Sequence, residues 1–242
     1  MTTQISKHNS IPRKERLIVA LDVPSAEEAK KLVETLGDAV CFYKIGLELF
    51  TAGGYFEMLE WLVRRGKKVF VDLKFFDVPE TVRAAVRGLR NRGVTFVTVH
   101  GNQAILEAAG RDKGELKILA VTVLTSLDQG DLDDLGFDCD LERLVLSRAR
   151  RALQAGCDGV ISSGLEAPAL KRELGSRLLV VTPGIRPVEN RTVDDQKRTV
   201  DVLQAFANGA DYIVVGRPIR QASDPRDAAR SIQETIATIV PG

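Results

Sequence analysis

The chemistry-bearing residues of this chain concentrate in Val69-Phe70-Val71-Asp72-Leu73-Lys74-Phe75-Phe76-Asp77, where two carboxylates and an amine follow an apolar run. If that run is a buried strand, its side chains alternate with period two, so Asp72 and Lys74 fall on one face. Asp22 and Lys44 close two other apolar runs. Ammonium and carboxylate groups alternating at one rim keep each other ionised against partial burial. A fixed ammonium beside a centre where negative charge develops can stabilise a carbanion and then protonate it. A structural ion-pair network is the alternative, but such networks are often no better than apolar packing. So many ionised groups at one end therefore point to function. Lys74, Asp72, Asp77 and Lys44 are the candidate catalytic residues, and Asp22 joins Lys44 and Asp72 as a candidate substrate contact.

A second set of residues suits an anion. Thr182-Pro183-Gly184-Ile185-Arg186 and Val215-Gly216-Arg217-Pro218-Ile219 each follow an apolar run. Gly216 lets a ligand approach the backbone, neighbouring N–H groups can face an anion, and Arg217 supplies a forked cation. Gln196 lies in a polar stretch, 185–198, broken by Pro187 and long enough for an active-site lid. Taken singly, Gly216 reads as a turn and Arg217 as a solvated side chain; together at matching positions they favour a phosphate.

The elements that must position these groups follow from the apolar pattern. Strands are expected at 17–21, 41–45, 68–73, 96–100, 117–123, 159–162, 178–182 and 212–215. They are mostly continuous apolar runs, as parallel strands buried on both faces require. Helices are expected at 25–36, 55–65, 79–92, 103–111, 141–155, 167–174, 199–208 and 225–240, with Pro79 suited to a first helical position. Eight such units imply an α/β fold, a single (β/α)8 TIM barrel over 17–242 preceded by a polar extension, 1–16. An open doubly wound sheet is the alternative, but no strand-borne G-x-G-x-x-G or Walker-type loop is present. In a barrel the chemistry sits at the C-terminal strand ends. Asp22, Lys44, Asp72, Lys74, His100, Thr125, Ser126, Pro183, Gly184, Gly216 and Arg217 all fall there.

Composition narrows the classes. The 242 residues are 44% hydrophobic, enough for one large core, and the formal charge of +1 gives no footprint for nucleic acid. No apolar run approaches a membrane span, and the polar first residues carry no secretory h-region, so a cytoplasmic enzyme is expected. Cys41, Cys139 and Cys157 are odd in number and widely spaced, and only two histidines are present, so neither disulfides nor a metal site is expected. His100 reads as a structural histidine, Trp61 as core or interface, and Arg148-Ala149-Arg150-Arg151 as a solvated helix face.

Six segments in chain order resemble the orotidine 5′-phosphate decarboxylase family. They are Ala20-Leu21-Asp22, Tyr43-Lys44-Ile45-Gly46, Asp72-Leu73-Lys74-Phe75-Phe76-Asp77-Val78-Pro79-Glu80-Thr81, Val121-Thr122-Val123-Leu124-Thr125-Ser126, Thr182-Pro183-Gly184-Ile185-Arg186 and Val214-Val215-Gly216-Arg217-Pro218-Ile219. The similarity runs from about Leu17 to Pro225. Phe76 stands where many bacterial members carry His, and Asp194-Asp195-Gln196 replaces the more usual Gly-Asp-Gln. The resemblance implies decarboxylation of orotidine 5′-monophosphate to uridine 5′-monophosphate, the last step of de novo pyrimidine synthesis. It also implies a homodimer with shared active sites and neither metal nor organic cofactor. By position, Lys74 corresponds to the proton donor and Asp72 lies beside the scissile carboxylate. Asp77 corresponds to the aspartate contributed across the interface, bridged by Lys44. Asp22 then contacts ribose, Thr125 and Ser126 address base or ribose, and Thr81 and Pro183 join the substrate contacts. Arg186, Gln196, Gly216 and Arg217 line the phosphate and lid region. Related sugar-phosphate enzymes share D-x-K-x-x-D but use Mg²⁺ and an enediolate; Pro79-Glu80-Thr81 and the Leu-Thr-Ser and Gly-Ile-Arg segments favour the nucleotide enzyme. A catalytically silent phosphate sensor is the rival of another class, and the intact Asp72, Lys74 and Asp77 set argues against it.

Overall fold

The computed structural model describes residues 11–186 and 198–240. Eight parallel strands close into a barrel in chain order: β1 (Leu17–Ala20), β2 (Phe42–Gly46), β3 (Lys68–Phe75), β4 (Val94–His100), β5 (Lys117–Val121), β6 (Gly159–Ile161), β7 (Leu179–Thr182) and β8 (Tyr212–Val215). β1 pairs with both β2 and β8, which completes the closure. Each expected strand is found, with ends differing by at most two residues.

Strand alternation builds two cores. Ile18, Ala20, Phe42, Phe70, Phe96, Leu119, Val181 and Tyr212 fill the barrel interior, while Leu17, Val19, Tyr43, Val69, Val71 and Val97 face the surrounding helices. Because both faces are covered, the strand sequences show no polar alternation. Phe42, Phe96 and Tyr212, from strand beginnings, plug one end of the barrel, with centroids 5.1 Å apart for Phe42–Phe96 and for Phe96–Tyr212. Edge-on and tilted packing of this kind suits the ring quadrupoles. The opposite end is left open.

The plugged end carries a repeated device. Asp158 Oδ2 accepts from the Ile118 amide at 2.8 Å and from Lys113 Nζ at 2.6 Å. Asp211 Oδ2 does the same with the Val180 amide at 2.8 Å and Lys171 Nζ at 2.6 Å. Residues 11–16, expected as extension, belong to this end: Arg16 Nη1 donates to the Asp211 carbonyl at 3.1 Å and Arg13 Nε to the Val240 carbonyl at 2.7 Å.

The helices follow their capping signals. Ser25 caps Ala26–Leu36, Asp140 caps Leu141–Gln154 and Asp224 caps Pro225–Ile239, each side chain accepting a backbone N–H of the first turn. Pro79 opens Pro79–Leu89. Three short helices, Leu47–Ala52, Gln129–Asp134 and Arg217–Arg220, were not anticipated, because none is long enough to display a helical period. Arg148 corrects another expectation: it is half-buried, and Nη1 donates to the Thr122 carbonyl at 2.5 Å. Among the described residues no helix is long and apolar enough to cross a membrane.

Candidate active site

At the open end, a chain of alternating charge runs across three neighbouring strands. Lys44 Nζ lies 3.0 Å from Asp22 Oδ1 and 3.4 Å from Asp72 Oδ2. Lys74 Nζ lies 3.0 Å from Asp72 Oδ1. β1, β2 and β3 are adjacent, and the register places Ala20 beside Lys44 and Gly46 beside Asp72, so the ladder itself aligns the charges. Gly46 keeps the space open: a Cβ there would stand 3.1 Å from Lys44 Nζ and 3.4 Å from Asp22 Oδ1.

Lys74 is brought to Asp72 by a distortion and not by strand alternation. On β4 one residue separates the partners of Val71 and Phe75, whereas on β3 three residues lie between them, so the chain bulges. Lys74 has φ 47°, a left-handed conformation that is costly for a lysine. Thr98 of β4 holds it: the hydroxyl accepts the Lys74 amide at 2.9 Å and donates to Asp72 Oδ1 at 2.9 Å.

Burial acts on these groups against their mutual attraction. Burial alone would raise the Asp72 carboxyl, but Lys44, Lys74 and the Thr98 hydrogen bond outweigh it and hold Asp72 below the ordinary carboxylate range. Burial would likewise lower Lys44, yet Asp72 and Asp22 raise its ammonium above the usual lysine value. Both stay ionised.

The charge chain forms one wall of a cavity of about 260 Å³. Thr125 and Ser126 after β5 line it, as do Pro183 and Arg186 after β7 and Gly216 and Arg217 after β8. Nearly all the expected contacts thus converge. Arg220 was missed; it lines the same cavity from the helix Arg217–Arg220, which was too short to anticipate. Two expected residues are not brought in. Asp77 is exposed, its Oδ1 accepting the adjacent Val78 amide at 2.6 Å, and Thr81 is exposed on the helix beyond. Gln196, with the expected lid, lies outside the described residues. His100 stands beside the site: its Nδ1 is 3.1 Å from Asn102 Oδ1, and its ring packs on Phe76 with centroids 4.5 Å apart. Burial pushes the Cys157 thiol up to about 12, which leaves it unreactive.

A barrel whose open end gathers ammonium and carboxylate groups from β1 to β3, with arginines from the loops after β7 and β8, defines a class: (β/α)8 enzymes with an active site built at the C-terminal strand ends. The chain belongs to the orotidine 5′-phosphate decarboxylase / HUMPS family, whose model matches residues 15–232. It is 68% identical over 229 residues to an orotidine 5′-phosphate decarboxylase of Methylococcus capsulatus, covering 95% of each chain. A protein of the same name from Stenotrophomonas maltophilia is 52% identical over 226 residues, 93% of each chain. Among solved structures, an orotidine 5′-phosphate decarboxylase from Lactobacillus acidophilus superposes with a TM-score of 0.82 at 35% identity, over 92% of this chain and 99% of that one.

Proposed function

We propose that the protein decarboxylates orotidine 5′-monophosphate to uridine 5′-monophosphate and CO2, in pyrimidine biosynthesis. The observation that carries this reading is the Lys74 ammonium held 3.0 Å from Asp72 at the wall of a cavity whose other strand ends supply arginines. Names borne by relatives at 52–68% identity support the same substrate.

The pyrimidine lies over the charge chain with its carboxylate near Asp72. The C6–carboxylate bond breaks, CO2 leaves, and the electron pair remains in an sp² orbital at C6 that the ring cannot delocalise. Lys74 stabilises that charge and then gives its proton to C6. Asp72 keeps Lys74 aimed. Asp22 and Lys44 hold the ribose hydroxyls, and Thr125 and Ser126 meet the base. Arg186, Arg217, Arg220 and the backbone at Gly216 take the phosphate, with Pro183 beside them and Gln196 a further contact. Binding energy from that remote phosphate lowers the barrier at C6 by fixing the ring against Lys74.

The working unit is a homodimer in which Asp77 and Thr81 of one chain complete the cavity of the other. The support is their position, exposed and away from their own cavity, with Phe76 and Val78 exposed on the same loop. The test is near-ultraviolet absorbance of orotidine 5′-monophosphate mixed with purified protein in excess EDTA. Loss of the substrate band with formation of uridine 5′-monophosphate is expected. A folded protein that binds the nucleotide without turnover, with or without Mg²⁺, would be a sensor; turnover of a sugar phosphate instead would move it to the HUMPS branch.

A further inference from the structure

Two substrate-facing loops, one after β5 and one after β7, are joined by a buried ion pair whose own side chains do not line the cavity. Glu166 and Arg198 are buried, and Arg198 Nη1 donates to Glu166 Oε1. The other guanidinium nitrogen of Arg198, Nη2, donates to the Leu124 carbonyl at 2.9 Å, immediately before Thr125 and Ser126. Glu166 is itself fixed, its second oxygen accepting the Ser162 hydroxyl at 2.9 Å and the Ser163 amide at 2.8 Å. Two residues beyond Arg198, Val200 bridges Ile185, and its carbonyl accepts the Arg186 amide at 3.0 Å. Val200 is seated so closely on Gly164 that a Cβ there would stand 2.4 Å from Val200 Cγ2.

The path from Arg186 through Val200 and Arg198 to Leu124 is therefore continuous, and each step is a hydrogen bond or a covalent bond. A buried pair of this kind is seldom justified by stability alone. Here it links the backbone carrying one set of substrate contacts to the backbone carrying the other. We infer that Arg198, held by Glu166, is a positioning residue that couples the base-facing loop at Thr125-Ser126 to the phosphate-facing loop at Arg186. The inference rests on the reading that those residues contact base and phosphate.

Coupling of this sort is measurable as non-additivity. Ser126→Ala, Arg186→Ala and their combination are compared by kcat/KM for orotidine 5′-monophosphate, first in the native chain and then in a chain carrying Glu166→Gln and Arg198→Met. Removing both charges together strands neither. In the native background, losing one contact already releases the other loop, so the combined loss falls short of the product of the single losses by about tenfold. In the altered background the losses multiply to within about twofold. A merely structural pair would lower the melting temperature and leave the shortfall intact, which overturns the inference; so does simple multiplication in the native chain. If neither single substitution reduces kcat/KM, the residue assignments fall, and the coupling falls with them. Should the doubly altered chain not fold, Arg198→Lys supports the same comparison: a single nitrogen replaces the planar fork whose two nitrogens reach Glu166 and Leu124 separately, so the link loosens and the shortfall must shrink.

Discussion

Asp72 is the residue on which the site turns, because two ammonium groups converge on it and one side-chain hydroxyl steadies it. Its carboxyl is depressed in the folded chain, so the linkage has a definite sign. The stabilisation is complete above the unfolded carboxylate value, about pH 4, and is lost as the pH falls through the lower native value. Asp72→Asn should therefore melt below the native protein at neutral pH, with the gap closing on acidification; melting curves across the acid range check this, and a constant gap would contradict it. Lys74→Ala tests the chemistry. It removes the proton donor while leaving Asp72 paired with Lys44, so kcat should fall at least about a hundredfold with the circular dichroism spectrum unchanged. Near-native turnover in that variant would sink the mechanism.

At the scale of elements, the decisive feature is the end of β3, where Thr98 holds a bulge in place. Thr98→Val keeps the shape, yet it leaves the Lys74 amide without its partner and Asp72 without a hydrogen bond. A destabilisation of about 1–3 kcal/mol is expected, together with a lower kcat, and Thr98→Ser should restore both. Urea titrations and steady-state rates measure the two effects separately, and unchanged kcat in the valine variant would mean the bulge positions nothing. This feature also marks the limit of sequence reading. Continuous apolar runs made all eight strands legible, and Asp22, Lys44, Asp72 and Lys74 could be placed at one rim from strand ends alone. The expectation that period-two alternation aligns Asp72 with Lys74 reached the right neighbours by the wrong route. The bulge depends on a hydroxyl of the next strand, which no local pattern reports. Arg148 and Arg198 were illegible for a related reason: a guanidinium that grips a carbonyl beneath a loop has the same local sequence as one in solvent. The helix carrying Arg220 is a single turn, too short for periodicity to register.

At the scale of the molecule, the two ends of the barrel divide the work. The plugged end holds the aspartates that clip strand beginnings to lysines, while the open end holds the charges that face a ligand. One chain leaves the open end incomplete by the proposed mechanism, since Asp77 is exposed and its Oδ1 accepts the adjacent Val78 amide instead of facing the cavity. The loops after the adjacent strands β2 and β3 also leave Leu47 57%, Phe76 64% and Val78 63% exposed. Apolar side chains flanking a functional carboxylate are what an interface between two copies requires. If the sites are shared, Lys74→Ala and Asp77→Ala homodimers are both defective, but a mixed dimer contains one cavity with a native Lys74 and a native Asp77 from its neighbour. In a two-fold dimer, random exchange makes half the dimers mixed, each with one of two sites restored, so equimolar mixing should recover about a quarter of native activity. Exchange is followed with differently tagged chains. Complete exchange without recovery would show that each chain supplies its own Asp77, and the loop after β3 would then have to fold back over its own cavity on binding substrate.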